Sequence, residues 1–229
     1  MLSYPDLPHP PEVDEKYHAL NIPNIARVVY WMRFFQIIRE TPGDIVECGI
    51  GRGRSLMILC ALNTLFAGMG GGERMIFAYD GFAGFPDPMP EDNSKRAPRK
   101  GEWSESPSGR YRYTPEFLKL ILQSAGYVSD SQLLHVVPGF FADTLPHHPE
   151  RPIALLHVDV DLYQSHLDVL NNLYERVSPG GLIVFDDVYP NAPLDSVPFP
   201  GAGKAVRDYL EERADQLQIS MLGNGYLIC

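Results

Sequence analysis

Short apolar runs that stop at acids constrain this chain more than any other feature. Residues 153–159 read IALLHVD and residues 182–186 read LIVFD. The first run closes on Asp159 with Asp161 just beyond, the second on Asp186 and Asp187. Residues 44–50 (DIVECGI) and 75–80 (MIFAYD) are similar and carry Glu47 and Asp80; residues 133–138 form a fifth run. Runs this short, bounded by turn residues, read as strands. Apolar residues at helical spacing lie between and around them, at residues 25–40, 55–66, 114–124, 165–177 and 204–216. Strands alternating with helices imply a mostly parallel sheet covered on both faces. The closing ISML-GN-GYLIC reads as a hairpin around Gly223 and Asn224 that adds antiparallel pairing.

A chain of 229 residues, 45% hydrophobic, suits one α/β domain with a full core. That domain is expected over residues 23–229, after an irregular arm rich in proline and acid at residues 1–22. Asn24 is the expected cap of the first helix. Residues 81–113 and 188–203 lack apolar periodicity, and loops this long inside a domain read as lids. The GMGGGER stretch reads as a flexible loop, and Ser178 to Gly181 as a turn before a strand.

In open parallel sheets ligands sit beyond the carboxyl ends of the strands. Asp80, Asp159, Asp186 and Asp187 all fall at such ends, and Glu47 lies near one. Any one of them can be read as a loop residue or helix cap. The set together reads as the rim of one crevice.

Charge narrows the partners. A net charge of −10 makes the chain a poor nucleic-acid binder. Its one basic cluster, SKRAPRK with Arg110 and Arg112, sits among acids and reads as a solvated mixed-charge loop. Cys48, Cys60 and Cys229 are too few and too odd for a disulfide framework and fit a reducing cytoplasm. The first residues show neither a basic stretch nor an apolar one, so no signal peptide is expected. No apolar run reads as long enough to cross a bilayer.

The turn ECGIGRGRS joins the first strand to an apolar helix. Gly49, Gly51 and Gly53 let the backbone turn tightly and approach a ligand. A dinucleotide fingerprint starting at Gly49 would need a small residue where Arg54 stands, so a nicotinamide oxidoreductase fits badly. No phosphate-cradling lysine motif follows. Glu47 is instead placed to face an ammonium group, and the helix N-terminus with Ser55 to face a carboxylate. Asp80, at the second strand end, suits ribose hydroxyls. An amino acid joined to ribose describes S-adenosylmethionine.

Five blocks, VECGIGRGRS, YDGFAGFPDP, VPGFFADTLP, HVDVDLYQSHLDVLNNLYERVSPGGLIVFDD and GAGKAVRDYL, closely resemble the macrocin O-methyltransferase family. The resemblance runs from Asp44 to Leu210. It implies the class I methyltransferase fold, a Rossmann-like seven-stranded sheet with a C-terminal antiparallel hairpin. It also implies S-adenosylmethionine as donor, a divalent metal (usually Mg²⁺), and methylation of hydroxyls, often on sugars of glycosylated antibiotics. By position, it assigns Asp159, Asp186 and Asp187 to the metal and Asp159 to the general base. Glu47, Gly49, Gly51, Ser55 and Asp80 fall to the cofactor, with Gly139, Phe140 and Phe141 near its adenine end.

The chemistry agrees with that assignment. An alcohol is a poor nucleophile until a neighbouring dication lowers its pKa. Carboxylates without nearby cysteine suit a hard ion, Mg²⁺ with Ca²⁺ or Mn²⁺ as alternatives. Asp161 either supports the site or caps the next helix, and Tyr163 reads as packing. His166 is a relay base or, more simply, a surface helical residue. His157 reads as a satisfied interior histidine, and His147 with His148 as exposed loop. Tyr30, Trp31, Phe34 and Phe35 read as core or as an oligomer interface, with a dimer expected. The acceptor is expected to be a small hydroxyl-bearing molecule, glycosylated, with a catechol or other phenol as the alternative. A cofactor-binding module without activity is a further alternative, against which the acid set argues.

Overall fold

The computed structural model describes residues 21–106, 109–127 and 132–229. Of the expected arm, only Asn21 and Ile22 are described; Ile22 starts the first helix and Asn21 caps it.

Among the described residues, seven strands make one sheet: β1 (Asp44–Cys48), β2 (Ile76–Asp80), β3 (Leu134–Pro138), β4 (Ile153–Val158), β5 (Val177–Phe185), β6 (Gln218–Ile219) and β7 (Gly225–Ile228). Their order is β3-β2-β1-β4-β5-β7-β6. The first five run parallel, and β7 pairs antiparallel with both β5 and β6. This is the mixed sheet the sequence predicts.

Every residue of β1 and β4 is buried. Helices cover both faces, so these strands are continuous apolar runs rather than alternating ones. Successive side chains still go to opposite faces. Ile45, Leu155, Leu182 and Val184 enter one core with Trp31, Phe34 and Leu59. Val46, Leu156, Ile183 and Phe185 enter the other with Val169, Leu173 and Val206. The pairings of Cys48 with Val158 and of Val158 with Phe185 bring the ends of β1, β4 and β5 level. The acids that follow are thereby gathered at one edge.

Among the described residues the α-helices are α1 (Ile22–Ile37), α2 (Arg54–Phe66), α3 (Pro115–Ser124), α4 (Phe141–Thr144), α5 (Tyr163–Leu173) and α6 (Pro200–Leu210). Several differ from expectation. The cap of α1 is Asn21, whose side chain accepts from the backbone N–H of Asn24 at 3.0 Å. Ile22 and Pro23 thus precede the apolar periodicity that marks the rest of the helix, and proline fits the first turn. The first part of the predicted flexible loop lies in a π-helical turn over Ala67–Gly71 that leaves helical geometry at Gly70 (φ +87°), and residues 72–74 are irregular. With this turn, residues 54–71 reach 18 residues of mean hydropathy 1.2, enough by length and composition alone to cross a membrane, but the stretch kinks at Gly70. Leu56, Leu59 and Leu62 of this stretch pack in the core. The predicted turn at Ser178 to Gly181 lies inside β5, where the pairing with β4 is irregular. Helix α6 starts at Pro200, so Gly201 to Lys204 is helix and the second long loop is shorter than predicted.

The aromatic quartet of α1 is core. Tyr30, Trp31, Phe34 and Phe35 are each 2% exposed. Tyr30 meets Trp31 and Phe34 edge-on, at 5.1 and 4.8 Å between ring centres. Each such pair adds about 0.5–1.5 kcal/mol beyond the area it buries.

Candidate active site

The turn after β1 and the acids after β4 and β5 enclose one cavity of about 570 Å³. That lies within the usual range for small-molecule sites, about 300–1,000 Å³. Gly49 has φ +89°, and a Cβ there would lie 1.7 Å from the backbone oxygen of Asp159. Only glycine lets the two strand ends come this close. Gly49, Gly51, Ser55, Asp80, Phe140, Phe141, Asp159, Asp186 and Asp187 all line the cavity. The structure thus brings most of the sequence-predicted residues together.

Glu47 and Gly139 do not line it. Glu47 is wholly enclosed, and its Oε1 lies 2.9 Å from Nδ1 of His157. Its Oε2 has no partner among the described residues. His157 does line the cavity, and its ring meets Trp31 edge-on at 4.6 Å. The sequence placed His157 inside, and that is where it lies.

Asp80 holds the glycine-rich turn. Its Oδ2 accepts from the N–H groups of Ile50 (2.8 Å) and Gly51 (3.0 Å), and its Oδ1 from Phe82 at 2.7 Å. A carboxylate has about four acceptor positions, so one remains for a ligand hydroxyl. No side chain caps the N-terminus of α2, and its first turn carries no acid. Its residues Arg54, Ser55 and Ile58 line the cavity. The first-turn N–H groups of a helix that opens onto a cavity favour a ligand carboxylate. Cavity size, free acceptor capacity and uncapped helix end fit S-adenosylmethionine.

The acids at the opposite end converge. One carboxylate oxygen each from Asp159, Asp161 and Asp187 lie within 4.8 Å of one another. Burial raises the Asp159 carboxyl well above its ordinary range, and the charges of Asp186 and Asp187 raise it further. Burial and then Asp159 raise Asp161, while burial and then Asp161 raise Asp187. Carboxylates crowded like this must share protons or a cation. The buried Oδ2 of Asp187 has no partner among the described residues. An all-oxygen donor set with an orphaned acceptor fits a hard dication. Asp186 stands beside this trio, its Oδ1 3.9 Å from a guanidinium nitrogen of Arg27.

Asp161 is no helix cap. Its φ is +56°, and the N–H of Leu162 bonds back to the carbonyl of Val160 across it. This tight, left-handed turn carries the side chain into the acid group. Aspartate visits that conformation more readily than most residues. Sequence gave no sign of the turn, because no glycine marks it.

Two other placements differ from expectation. His148 is buried rather than exposed, with Nδ1 2.7 Å from the Tyr79 hydroxyl. His166 is wholly buried and bonds the carbonyl of Leu162. It does not line the cavity. Both were hidden from sequence because their environments come from distant strands.

The two predicted lids contribute unequally. Gly84, Phe85, Pro86, Asp87, Met89 and Trp103 of the first line the cavity. Arg96 and Glu102 pair within this loop, as do Lys100 and Asp87, so the basic cluster is a mixed-charge loop. The Arg52 guanidinium lies over the rings of Trp103 (5.4 Å) and Tyr113 (5.7 Å), joining the glycine-rich turn to this loop.

The family described as Macrocin-O-methyltransferase (TylF) matches residues 34–214. A Streptomyces olivaceus enzyme, 8-demethyl-8-(2,3-dimethoxy-alpha-L-rhamnosyl)-tetracenomycin-C 4'-O-methyltransferase, is 29% identical over 197 residues, 82% of this chain and 72% of its own length. Demethyldecarbamoylnovobiocin O-methyltransferase of Streptomyces niveus is 32% identical over 148 residues, 65% of this chain. The chain spans about half of that relative, 53%. The crystal structure of CalS11, a calicheamicin methyltransferase, superposes with a TM-score of 0.74 at 25% identity, covering 91% of this chain and 80% of that one.

Proposed function

This chain belongs to the macrocin O-methyltransferase family, and we propose that it methylates a hydroxyl on a sugar of a glycosylated natural product. It is an O-methyltransferase, and its fold implies S-adenosylmethionine as donor. One observation supports the reading most strongly. The glycine-rich turn and the acid trio share one cavity, with Gly49 packed directly on the backbone of Asp159. Donor and base ends of a methyl transfer therefore lie side by side. The sugar acceptor is inferred from relatives whose names describe rhamnosyl and novobiocin-type substrates.

The reaction is an in-line displacement at carbon, and the chain's task is chiefly positioning. The N-terminus of α2 and Ser55 would orient the donor's carboxylate, and Asp80 its ribose. The acceptor hydroxyl would approach from the side of the acid trio. Asp159 accepts its proton as the oxygen attacks the methyl carbon and the carbon–sulfur bond breaks, releasing S-adenosylhomocysteine. Phe85, Met89 and Trp103 wall the site from water. A hard dication such as Mg²⁺, held by Asp159 and Asp187 with Asp161 and Asp186 at hand, would lower the pKa of the bound hydroxyl.

We also place the reaction in the cytoplasm, as the free thiols of Cys48, Cys60 and Cys229 suggest. Ile25, Val29 and Met32, exposed along one face of α1, are the proposed dimer surface. The test is a panel of glycosylated and catechol acceptors with S-adenosylmethionine, with Mg²⁺ or with EDTA. Transfer to sugar hydroxyls only with Mg²⁺ supports the proposal. Transfer to catechols alone replaces it with the phenolic reading, and firm cofactor binding without transfer to any acceptor replaces it with a non-catalytic module.

A further inference from the structure

We propose that Asp92, outside the cavity, is the positioning residue that sets the acid trio and the first lid in register. The inference rests on the methyltransferase reading of the cavity.

Helix α5 begins two residues after Asp161, at Tyr163. Its cap position holds Leu162, which has no side-chain acceptor. The missing acceptor comes from 71 residues upstream: Oδ1 of Asp92 accepts from the N–H of Tyr163 at 2.8 Å. Its Oδ2 accepts from the N–H of Met89, also at 2.8 Å. Asp92 is 2% exposed. Both of these bonds are to backbone, so the carboxylate clamps two main-chain segments rather than balancing a side-chain charge. One segment is the lid turn carrying Met89 into the cavity. The other is the start of α5, which anchors the left-handed turn at Asp161. A carboxylate at a helix N-terminus is also favoured by the peptide dipoles.

The third element at this joint is α6. A Cβ on Gly201 would lie 1.9 Å from Oδ1 of Asp92 and 3.0 Å from Cβ of Tyr163. The backbone of Gly201 is ordinary helix, so its glycine is not required by conformation. What it provides is room for the Asp92 carboxylate. Nearby, Ser94 donates to the carbonyl of Pro198 at 2.8 Å, tying the same lid to the loop before α6. Lid, α5 and α6 thus meet at one carboxylate.

Four proteins test this: wild type, Asp92→Ala, Gly201→Ala and the double variant. Alanine is a better helix former than glycine, so Gly201→Ala would by itself strengthen α6. We expect Asp92→Ala and Gly201→Ala each to lower kcat about 10–100-fold, the effect of a small misplacement at the reacting centre. The acceptor KM should rise, while calorimetric affinity for S-adenosylhomocysteine stays within about twofold, because Asp92 bonds Met89 and Tyr163 whereas the glycine-rich turn is held by Asp80. In the Asp92→Ala background, Gly201→Ala should add little, since the colliding oxygen is gone and only the 3.0 Å approach to Cβ of Tyr163 remains. Asp92→Asn, which keeps one acceptor, should recover part of kcat. Limited proteolysis between residues 81 and 106 should quicken in both single variants, a readout that needs no turnover. Additive losses, an unchanged kcat and cleavage rate, or cofactor affinity falling in step with kcat would each overturn the role. A wild type that methylates no acceptor would count against the functional reading alone, while proteolysis still decides the joint.

Discussion

Oε1 of Glu47 and Nδ1 of His157 lie 2.9 Å apart, shut inside the sheet beneath the cavity, with Trp31 packed edge-on against the same imidazole. The pair joins neighbouring strands, β1 and β4, at the level where the glycine-rich turn departs. Glu47→Ala would strand the His157 nitrogen in the core, at about 1–3 kcal/mol. In a domain of this size that lowers the thermal midpoint by several degrees, while Glu47→Gln should recover most of it. If Glu47→Gln kept the midpoint but abolished S-adenosylhomocysteine binding by calorimetry, Glu47 would be a ligand of the cofactor's ammonium group instead.

The acid trio predicts a division of labour. Asp159→Asn should lower kcat about 10²–10⁴-fold, the usual range for loss of a general base, with cofactor affinity almost unchanged. EDTA should abolish turnover in wild type and Mg²⁺ restore it. Full activity in chelator would remove the cation from the account.

Asp161 and Asp186 can be told apart. Titration with Mn²⁺, followed by paramagnetic resonance, should show weaker binding for Asp161→Asn than for Asp186→Asn, since Asp161 converges with Asp159 and Asp187 whereas Asp186 pairs with Arg27. Without cation, Asp161→Asn should also be more stable than wild type, because one of three crowded acids is gone. Asp161→Ala should be less stable than Asp161→Asn, by about 1 kcal/mol for the left-handed backbone.

Two buried histidines set an acid limit. Burial lowers both His148 and His166 to about 4 from an ordinary value near 6.5. Nδ1 of His166 must donate to the Leu162 carbonyl, which leaves its buried Nε2 without a partner among the described residues, and a proton there would be an isolated charge. Below pH 6.5 the unfolded chain binds protons that the folded one refuses. Stability from these groups is therefore full above pH 6.5 and is lost as pH falls toward 4, by up to about 3 kcal/mol each. Denaturant titrations at pH 7 and 4.5 should show a smaller drop for His148→Gln than for wild type. An equal drop would mean that His148 charges freely in the folded state.

Trp103 should report ligand binding. It is 45% exposed and lies beside Arg52 of the glycine-rich turn, whereas Trp31, the other tryptophan, is buried. Adding S-adenosylhomocysteine should shift tryptophan emission in wild type, and Trp103→Phe should lose most of that shift. A shift that survives in Trp103→Phe would assign the signal to Trp31.

Period and punctuation along the chain determined the five parallel strands, the helices between them and the closing hairpin. Those signals are local: an apolar run, a glycine turn and an acid at a strand end can be read within ten residues. The same logic marked Asp80, Asp159, Asp186 and Asp187 as the rim of one crevice, because parallel strands must all end on the same side. Tertiary structure decided what depends on register and on distant contacts. It turned Glu47 inward toward His157, bent the chain at Asp161 without a glycine, and buried His148 and His166. It also set Arg27 beside Asp186 and Asp92 at the head of a helix 71 residues away. No local pattern encodes such pairings, because the partner that satisfies each group is supplied only when the sheet aligns the strand ends.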